Sequence, residues 1–238
     1  MTVAANRPAT TSSVEGLLLA DKPAGVTSHD VILAARRAYG ERSIGHLGTL
    51  DPFATGLLLL LFGRATRLAS FIVTEPKVYE AEIRFGSETA TDDLTGEVVR
   101  TAELPDVDAV RKCLPELTGD LMQVPPAYSA KSVDGTRAYD SARRGEMLEL
   151  APAPVHVESW KVNDLDPEFL RATITCGAGT YIRALARDLG RMTGSAAHLT
   201  SLRRTRSGEF DVHDAASLED LRNSPPPLRP LSVVAGNV

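Results

Sequence analysis

Two cysteines, Cys113 and Cys176, are all that the 238 residues contain. That is too few for a disulfide framework, and a reducing compartment is the simplest expectation. No apolar run exceeds Leu57–Phe62, far short of the roughly 20 residues a membrane helix needs. Met1–Ser13 holds one basic residue, Arg7, and no apolar stretch, so it does not read as a secretory signal. A mobile tail over residues 1–15 and a soluble, cytoplasmic protein without membrane contact are expected. Glycine-rich loops of the phosphate-binding or dinucleotide-binding kind are missing. The two cysteines and five histidines show no zinc spacing. No cofactor and no metal is expected.

An excess of positive charge is also missing. Lys and Arg number 26 against 31 Asp and Glu, a formal net charge of -5, which by itself argues against a phosphate-rich partner. The distribution argues the other way. Tyr128–Gly145 carries Lys131, Arg137, Arg143 and Arg144 against Asp134 and Asp140. Arg183–Arg206 carries Arg183, Arg187, Arg191, Arg203, Arg204 and Arg206 against Asp188 alone, while the acidic excess lies in Glu75–Glu103 and Glu146–Asp166. Two basic segments on an acidic body suit a directional phosphate footprint. In this reading Arg187 and Arg191 are solvent-facing helix arginines.

What is present reads as an α+β domain on a mixed, mostly antiparallel sheet, spanning residues 16–223 and followed by a Pro-rich extended tail, 224–238. A strand is expected over Gly16–Ala20. A helix capped by Ser28 should run to Tyr39 and stop at Gly40. Gly45–Gly56, rich in Gly, Thr, Asp and Pro, should be a loop. Leu57–Phe62 reads as a buried strand and Ala65–Phe71 as a helix. Val78–Phe85 alternates as a half-buried strand, with Tyr79, Ala81, Ile83 and Phe85 on the inner face. A helix is expected over Val107–Leu117, weakened by Pro115, then strands over Val155–Val162 and Leu170–Cys176. An amphipathic helix over Thr180–Met192, a strand over His198–Phe210 and a helix capped by Ser217 complete the pattern.

Within the Gly45–Gly56 segment, Asp51 is a carboxylate in a stiff loop, braced by Pro52 and flanked by glycines that let a ligand approach the backbone. Most loop aspartates before proline merely cap turns. The surrounding wording changes that weighting. Gly45-His46-Leu47-Gly48-Thr49-Leu50-Asp51-Pro52, with Asp21-Lys22-Pro23-Ala24-Gly25-Val26-Thr27-Ser28 upstream, resembles the TruB family of tRNA pseudouridine-55 synthases. The resemblance continues through Lys77-Val78-Tyr79, Tyr128-Ser129-Ala130, Gly135–Tyr139, Cys176–Arg183 and His198–Arg204. These blocks keep the family's order over residues 16–222.

The resemblance implies a pseudouridine-synthase catalytic domain that isomerises the T-loop uridine at position 55 of tRNA, with Asp51 as its catalytic carboxylate. It implies that Arg183 pairs with Asp51 and that Tyr79 stacks on the target base. It also implies that Leu202 packs on the base's opposite side, His46 enters the RNA stack when the uridine is flipped out, and Lys22 supports the motif and the RNA backbone. A loop over about residues 124–147, with Arg137, Arg143 and Arg144, would close over the tRNA T arm. Two departures stand out: a short form without the family's C-terminal PUA domain, and Ser132 where the family often has lysine, with Lys131 displaced by one position. A monomer is expected. The reaction breaks the uracil N1–C1′ bond, turns the base and joins C5 to C1′, which asks for a carboxylate near the sugar and no donor group. The rival readings are an RNA glycosidase, which would need a second carboxylate as acid, and a tRNA-folding chaperone without chemistry.

Overall fold

The computed structural model describes residues 14–129 and 150–230, together with the backbone of two short strands at 132–133 and 136–137. One sheet organises nearly everything. Its strands are β1 (Gly16–Lys22), β2 (Ile44–Leu47), β3 (Thr55–Phe62), β4 (Lys77–Phe85), β7 (Gly119–Gln123), β10 (Ala153–Leu165), β11 (Phe169–Cys176), β12 (Ala197–Ser207), β13 (Phe210–Asp211) and β14 (Ala216–Ser217). Two small hairpins, β5 (Ser87–Thr89) with β6 (Val98–Thr101) and β8 (Ser132–Val133) with β9 (Thr136–Arg137), stand apart. The helices are α1 (Ser28–Tyr39), α2 (Val107–Cys113), α3 (Ile182–Met192) and α4 (Leu218–Asn223). The main order is β14-β1-β3-β12-β4-β11-β10-β7. Its pairings are antiparallel except β1 with β14 and β3 with β12, which agrees with the expected mixed, mostly antiparallel α+β fold.

Every residue of β3 from Gly56 onward is buried because both faces of the strand are covered. Leu58, Leu60 and Phe62 pack with Val31, Ile32 and Ala35 of α1. Leu57, Leu59 and Leu61 meet Ala65, Ile72, Phe210 and Val212 on the other side. On β4 the expected alternation appears: Tyr79, Ala81, Ile83 and Phe85 join the core formed with β11 and α3, while Glu80 and Arg84 face solvent.

Several local expectations are corrected. The N-cap of α1 is Thr27, which forms a capping box with Asp30. Ser28 instead turns inward, where its hydroxyl donates to the Leu50 carbonyl at 3.1 Å and accepts from the Leu50 N–H at 3.0 Å. The supposed loop from Gly45 contains β2, whose Ile44 pairs with Phe62 on β3; short, glycine-bearing strands carry little periodicity. Gly63–Phe71 is a 3-10 helix with no side-chain cap. The helix from Val107 stops at Cys113 and tightens into a 3-10 turn over Leu114–Leu117, where Pro115 has no N–H to continue the ladder. The strand from Ala197 ends at Ser207, and the chain turns at Gly208 (φ +59°) into β13. Past Ser224 the chain is extended and bound: Arg229 exchanges backbone hydrogen bonds with Leu17 at 2.9 and 2.8 Å, and the Tyr39 hydroxyl donates to the Pro226 carbonyl at 2.6 Å. Of the expected tails over 1–15 and 224–238, residues 1–13 and 231–238 lie outside the described residues, while Glu15 is held in an ion pair with Arg64.

Candidate active site

The loop Gly48–Ala54 is gripped by the β1–α1 turn. Lys22, at the end of β1, is fully buried, and its ammonium donates to the carbonyls of Pro23 (3.0 Å), Val26 (2.7 Å) and Pro52 (3.2 Å). Gly25 N–H donates to the same Pro52 carbonyl at 2.8 Å, and Ser28 holds Leu50. The two segments quoted above as separate motifs are thus one unit, and Asp51 projects from its braced tip. Lys22 works beneath the loop, with no exposed surface to offer an RNA backbone. Burial pulls its pKa down to about 8 against the opposing pull of Asp51 and Asp30.

Arg183 approaches Asp51 from the first turn of α3. Its Nη2 donates to Asp51 Oδ1 at 3.1 Å, and Nε stands 2.9 Å from Oδ2 as an ion-pair contact without hydrogen-bond geometry. The Arg183 side chain is only 4% exposed, whereas that of Asp51 is 34% exposed, so the carboxylate is presented outward from a buried cation. Arg183 is itself held by the Thr91 carbonyl (2.8 Å), the Tyr128 carbonyl (3.0 Å) and Asp93 (3.6 Å). Burial pushes the Asp51 carboxyl up from its ordinary value; Arg183 pulls it back down, and Asp93 adds to the upward push. The start of α3 is fixed by the buried Gln123, whose amide donates to the Tyr181 carbonyl at 3.1 Å and accepts from the Tyr181 N–H at 2.9 Å.

Asp51 and Arg183 open into a cleft of about 700 Å³ whose walls include Tyr79, Leu202, Lys77 and Arg204. Tyr79 and Leu202 are each 7% exposed, and both sit on sheet positions that the alternation places inward. Burial pushes the Tyr79 hydroxyl up from its ordinary value, and the Arg204 guanidinium beside it pulls the other way. Such a cleft, apolar on two sides and ionic at one end, accepts a flat ring and sets its edge or sugar against a carboxylate. Among the described residues no group of three or more His, Cys, Asp or Glu side chains could hold a metal ion, and no helix is long and apolar enough to cross a membrane.

His46 lies on β2 and is not a wall of this cleft. Its Nδ1 is buried without a partner, and burial with the nearby Arg204 lowers its pKa, which favours the neutral ring. Arg143 and Arg144 lie outside the described residues, as does most of the expected closing loop; of Arg137 only the place on β9 is described.

Much of the second basic segment is engaged within the chain, while Arg191 and Arg206 stay more than half exposed. Arg183, Arg187 and Arg191 stand one turn apart along α3 and meet Asp93, Asp92 and Glu88 of the acidic stretch Glu75–Glu103. Arg187 is buried, not solvent-facing; it binds Asp92 at 2.9 Å and the Val124 carbonyl at 2.8 Å. Arg191 pairs with Glu88 at 2.8 Å, and Arg203 with Asp21 at 2.7 Å. Arg204 is 1% exposed and donates to the carbonyls of Leu57 and Gly48, each at 2.8 Å. Arg204, Lys77 and Asp93 are site residues that reading along the chain missed. Their spacing gives no local sign that three distant segments meet.

The chain as a whole resembles known proteins. Residues 36–182 match the model of the TruB family pseudouridylate synthase N-terminal domain, and residues 183–225 match that of the tRNA pseudouridylate synthase B C-terminal domain. The boundary between the two matches falls at the start of α3, in the middle of the site. The tRNA pseudouridine synthase B of Mycobacterium ulcerans is 45% identical over 216 residues, covering 88% of this chain and 72% of that protein. The enzyme of the same name from Thermobifida fusca is 48% identical over 217 residues, covering 87% and 74%. Among solved structures, a Cbf5-Nop10-Gar1 complex aligns with a TM-score of 0.68 at 27% identity. An H/ACA RNP bound to a substrate RNA containing 2'-deoxyuridine aligns at 0.66 and 26%. Each alignment covers 91% of this chain, which spans 56% and 55% of those two chains respectively. With both family models matched in order across the segments that build the Asp51–Arg183 cleft, the chain belongs to the TruB family of pseudouridylate synthases.

Proposed function

We propose that this chain isomerises the T-loop uridine of tRNA to pseudouridine, in the cytoplasm and as a monomer, with Asp51 as the carboxylate that meets the sugar. The observation that carries the reading is the outward-facing Asp51 clasped by the buried Arg183. A clasped carboxylate keeps one orientation and can add to, or balance charge on, an electron-poor C1′. Tyr79 and Leu202, on neighbouring strands, supply the two flat walls between which a flipped uracil is held. His46, neutral and half-buried at the rim of the same loop, fills the place the base leaves. Arg137, Arg143 and Arg144 neutralise T-arm phosphates. The names of the relatives support tRNA as the substrate.

The test is incubation with tRNA labelled with tritium at uridine C5. Release of tritium with the base still attached supports isomerisation. Free uracil instead would identify a glycosidase, and unchanged RNA with altered folding would identify a chaperone. Either outcome sinks the proposal. Mapping the product to the T loop checks the position.

A further inference from the structure

Lys77 opens β4, two residues before Tyr79 and on the same face of the strand. It lines the cleft, yet its side chain has almost no partner. The residue is 8% exposed, and among the described residues its ammonium hydrogen-bonds only to the Thr74 hydroxyl, at the long distance of 3.5 Å. Among the described residues no carboxylate forms an ion pair with it. The cleft's other cations are engaged: Arg183 by Asp51, and Arg204 by the carbonyls of Gly48 and Leu57. Lys77 and Arg204 close on Gly48 from one side, where an added Cβ would stand 3.1 Å from Arg204 Nη1 and 3.5 Å from Lys77 Cε. Gly48 has φ +72°, so the wall admits no side chain of its own at that point. Burying an ammonium with so little compensation costs stability, and a methionine would fill the same space without that cost. A charge kept in such a place has a ligand to meet.

We propose that Lys77 is a further catalytic residue, one that donates a hydrogen bond to the detached uracil and holds its negative charge while the base turns. The inference rests on the isomerase reading above. When the N1–C1′ bond breaks, its electron pair stays on the base, and the charge of the uracil anion spreads over N1, O2 and O4. C1′ is left electron-poor opposite Asp51. After the turn, C5 supplies the electron pair of the new bond to C1′, C5 loses its proton and N1 gains one, so the sum of atoms and electrons is unchanged. A ring stacked on Tyr79 lies one inward-facing strand position, about 7 Å, from the Lys77 backbone, within reach of a lysine stem. An ammonium is a compact charge with three rotatable donors. It can follow a moving base, whereas the fixed fork of a guanidinium would hold one orientation. Burial and Arg204 draw the Lys77 pKa down, with Glu75 and Cys176 pulling it up, and its N–H groups are correspondingly good donors.

The test compares wild type, Lys77→Met and Lys77→Arg on C5-tritiated tRNA under single turnover, alongside thermal melting and the salt dependence of tRNA binding. Lys77→Met should raise Tm, leave Kd and its salt slope unchanged, and lower the single-turnover rate about a hundredfold, the cost typical of one lost donor to a developing anion. Lys77→Arg should recover part of that rate. A lower Tm with an unchanged rate per folded molecule would make Lys77 structural and overturn the inference. So would weaker binding with a salt slope reduced by about one unit and an intact saturating rate, which would assign Lys77 to a phosphate. A wild type that releases no tritium overturns the isomerase reading and this inference together. An active wild type matched by an equally active Lys77→Met overturns this inference alone.

Discussion

Around β1 and β3 the interior is leucine-rich and apolar on both faces of the sheet, and the only buried charge among the described residues there is the Lys22 ammonium beneath the Asp51 loop. Around β4, β12 and α3 the same sheet buries Arg183, Arg187, Arg204, Asp92, Asp93 and Lys77. Hydrophobic packing can be supplied by many side-chain sets. Buried ion pairs roughly break even against apolar replacements and are strongly destabilising only when half is removed. The first region therefore supplies stability. The second gives some of it up to hold a carboxylate and its surroundings in one geometry.

The sharpest way to break this contrast is Asp51→Asn. It removes the charge but keeps the shape and an amide that can still meet Arg183, so folding should survive. Turnover should fall about a thousandfold or more, roughly 4 kcal/mol of transition-state stabilisation, while tRNA affinity, set mainly by phosphate contacts, stays within a few-fold. Retention of a tenth of wild-type turnover would remove Asp51 from the chemistry. Arg187→Met comes next. It leaves Asp92 buried and unpaired and frees the Val124 carbonyl, so unfolding free energy should drop by about 3–5 kcal/mol. A loss below about 1 kcal/mol in denaturant titrations would show that Asp92 finds water or a proton at little cost.

Leu59→Ala probes the other region. Its side chain is fully buried, and the expected cost is about 2–5 kcal/mol with turnover per folded molecule unchanged. A slower reaction would mean that the two regions are mechanically coupled. The smallest effect concerns Lys22. An unfolded lysine keeps its proton to about 10.5, and the buried one only to about 8. Between those values the unfolded chain binds more protons, so the contribution of Lys22 to stability rises with pH across that window. The stability difference between wild type and Lys22→Met should widen from pH 8 to pH 10; a flat difference would mean that Lys22 titrates normally.

Much of this could be read along the chain, and what could not shares one cause. The alternation of β4, the amphipathic α3 and the apolar β3 are local patterns, and each was legible. The Asp51 loop was legible because glycine, proline and aspartate announce a turn. The pairing of Arg187 with Asp92 spans 95 residues, and nothing near either residue signals it, so Arg187 read as a surface cation. The same holds for Arg204, whose carbonyl partners are 147 and 156 residues away. Lysine is usually exposed, and only the folded turn shows three carbonyls converging on Lys22. Charge counted by segment suggested a phosphate surface on α3; charge counted by contact pairs Arg183, Arg187 and Arg191 with acidic residues, the first two buried and Arg191 exposed.

The parallel pairing of β12 with β3 places Arg203 and Arg204 against Thr55 and Gly56, where a Cβ on Gly56 would come within 2.2 Å of the Arg204 carbonyl oxygen. A late segment of the chain is thus wedged between two strands made much earlier, β3 and β4. During synthesis from the N-terminus, those strands leave the ribosome first and must wait with facing edges open until β12 arrives. Leu202 and Arg204 arrive with it, so the cleft cannot form on a growing chain before β12 has been made. A nascent chain therefore lacks two walls of the cleft until the sheet is sealed.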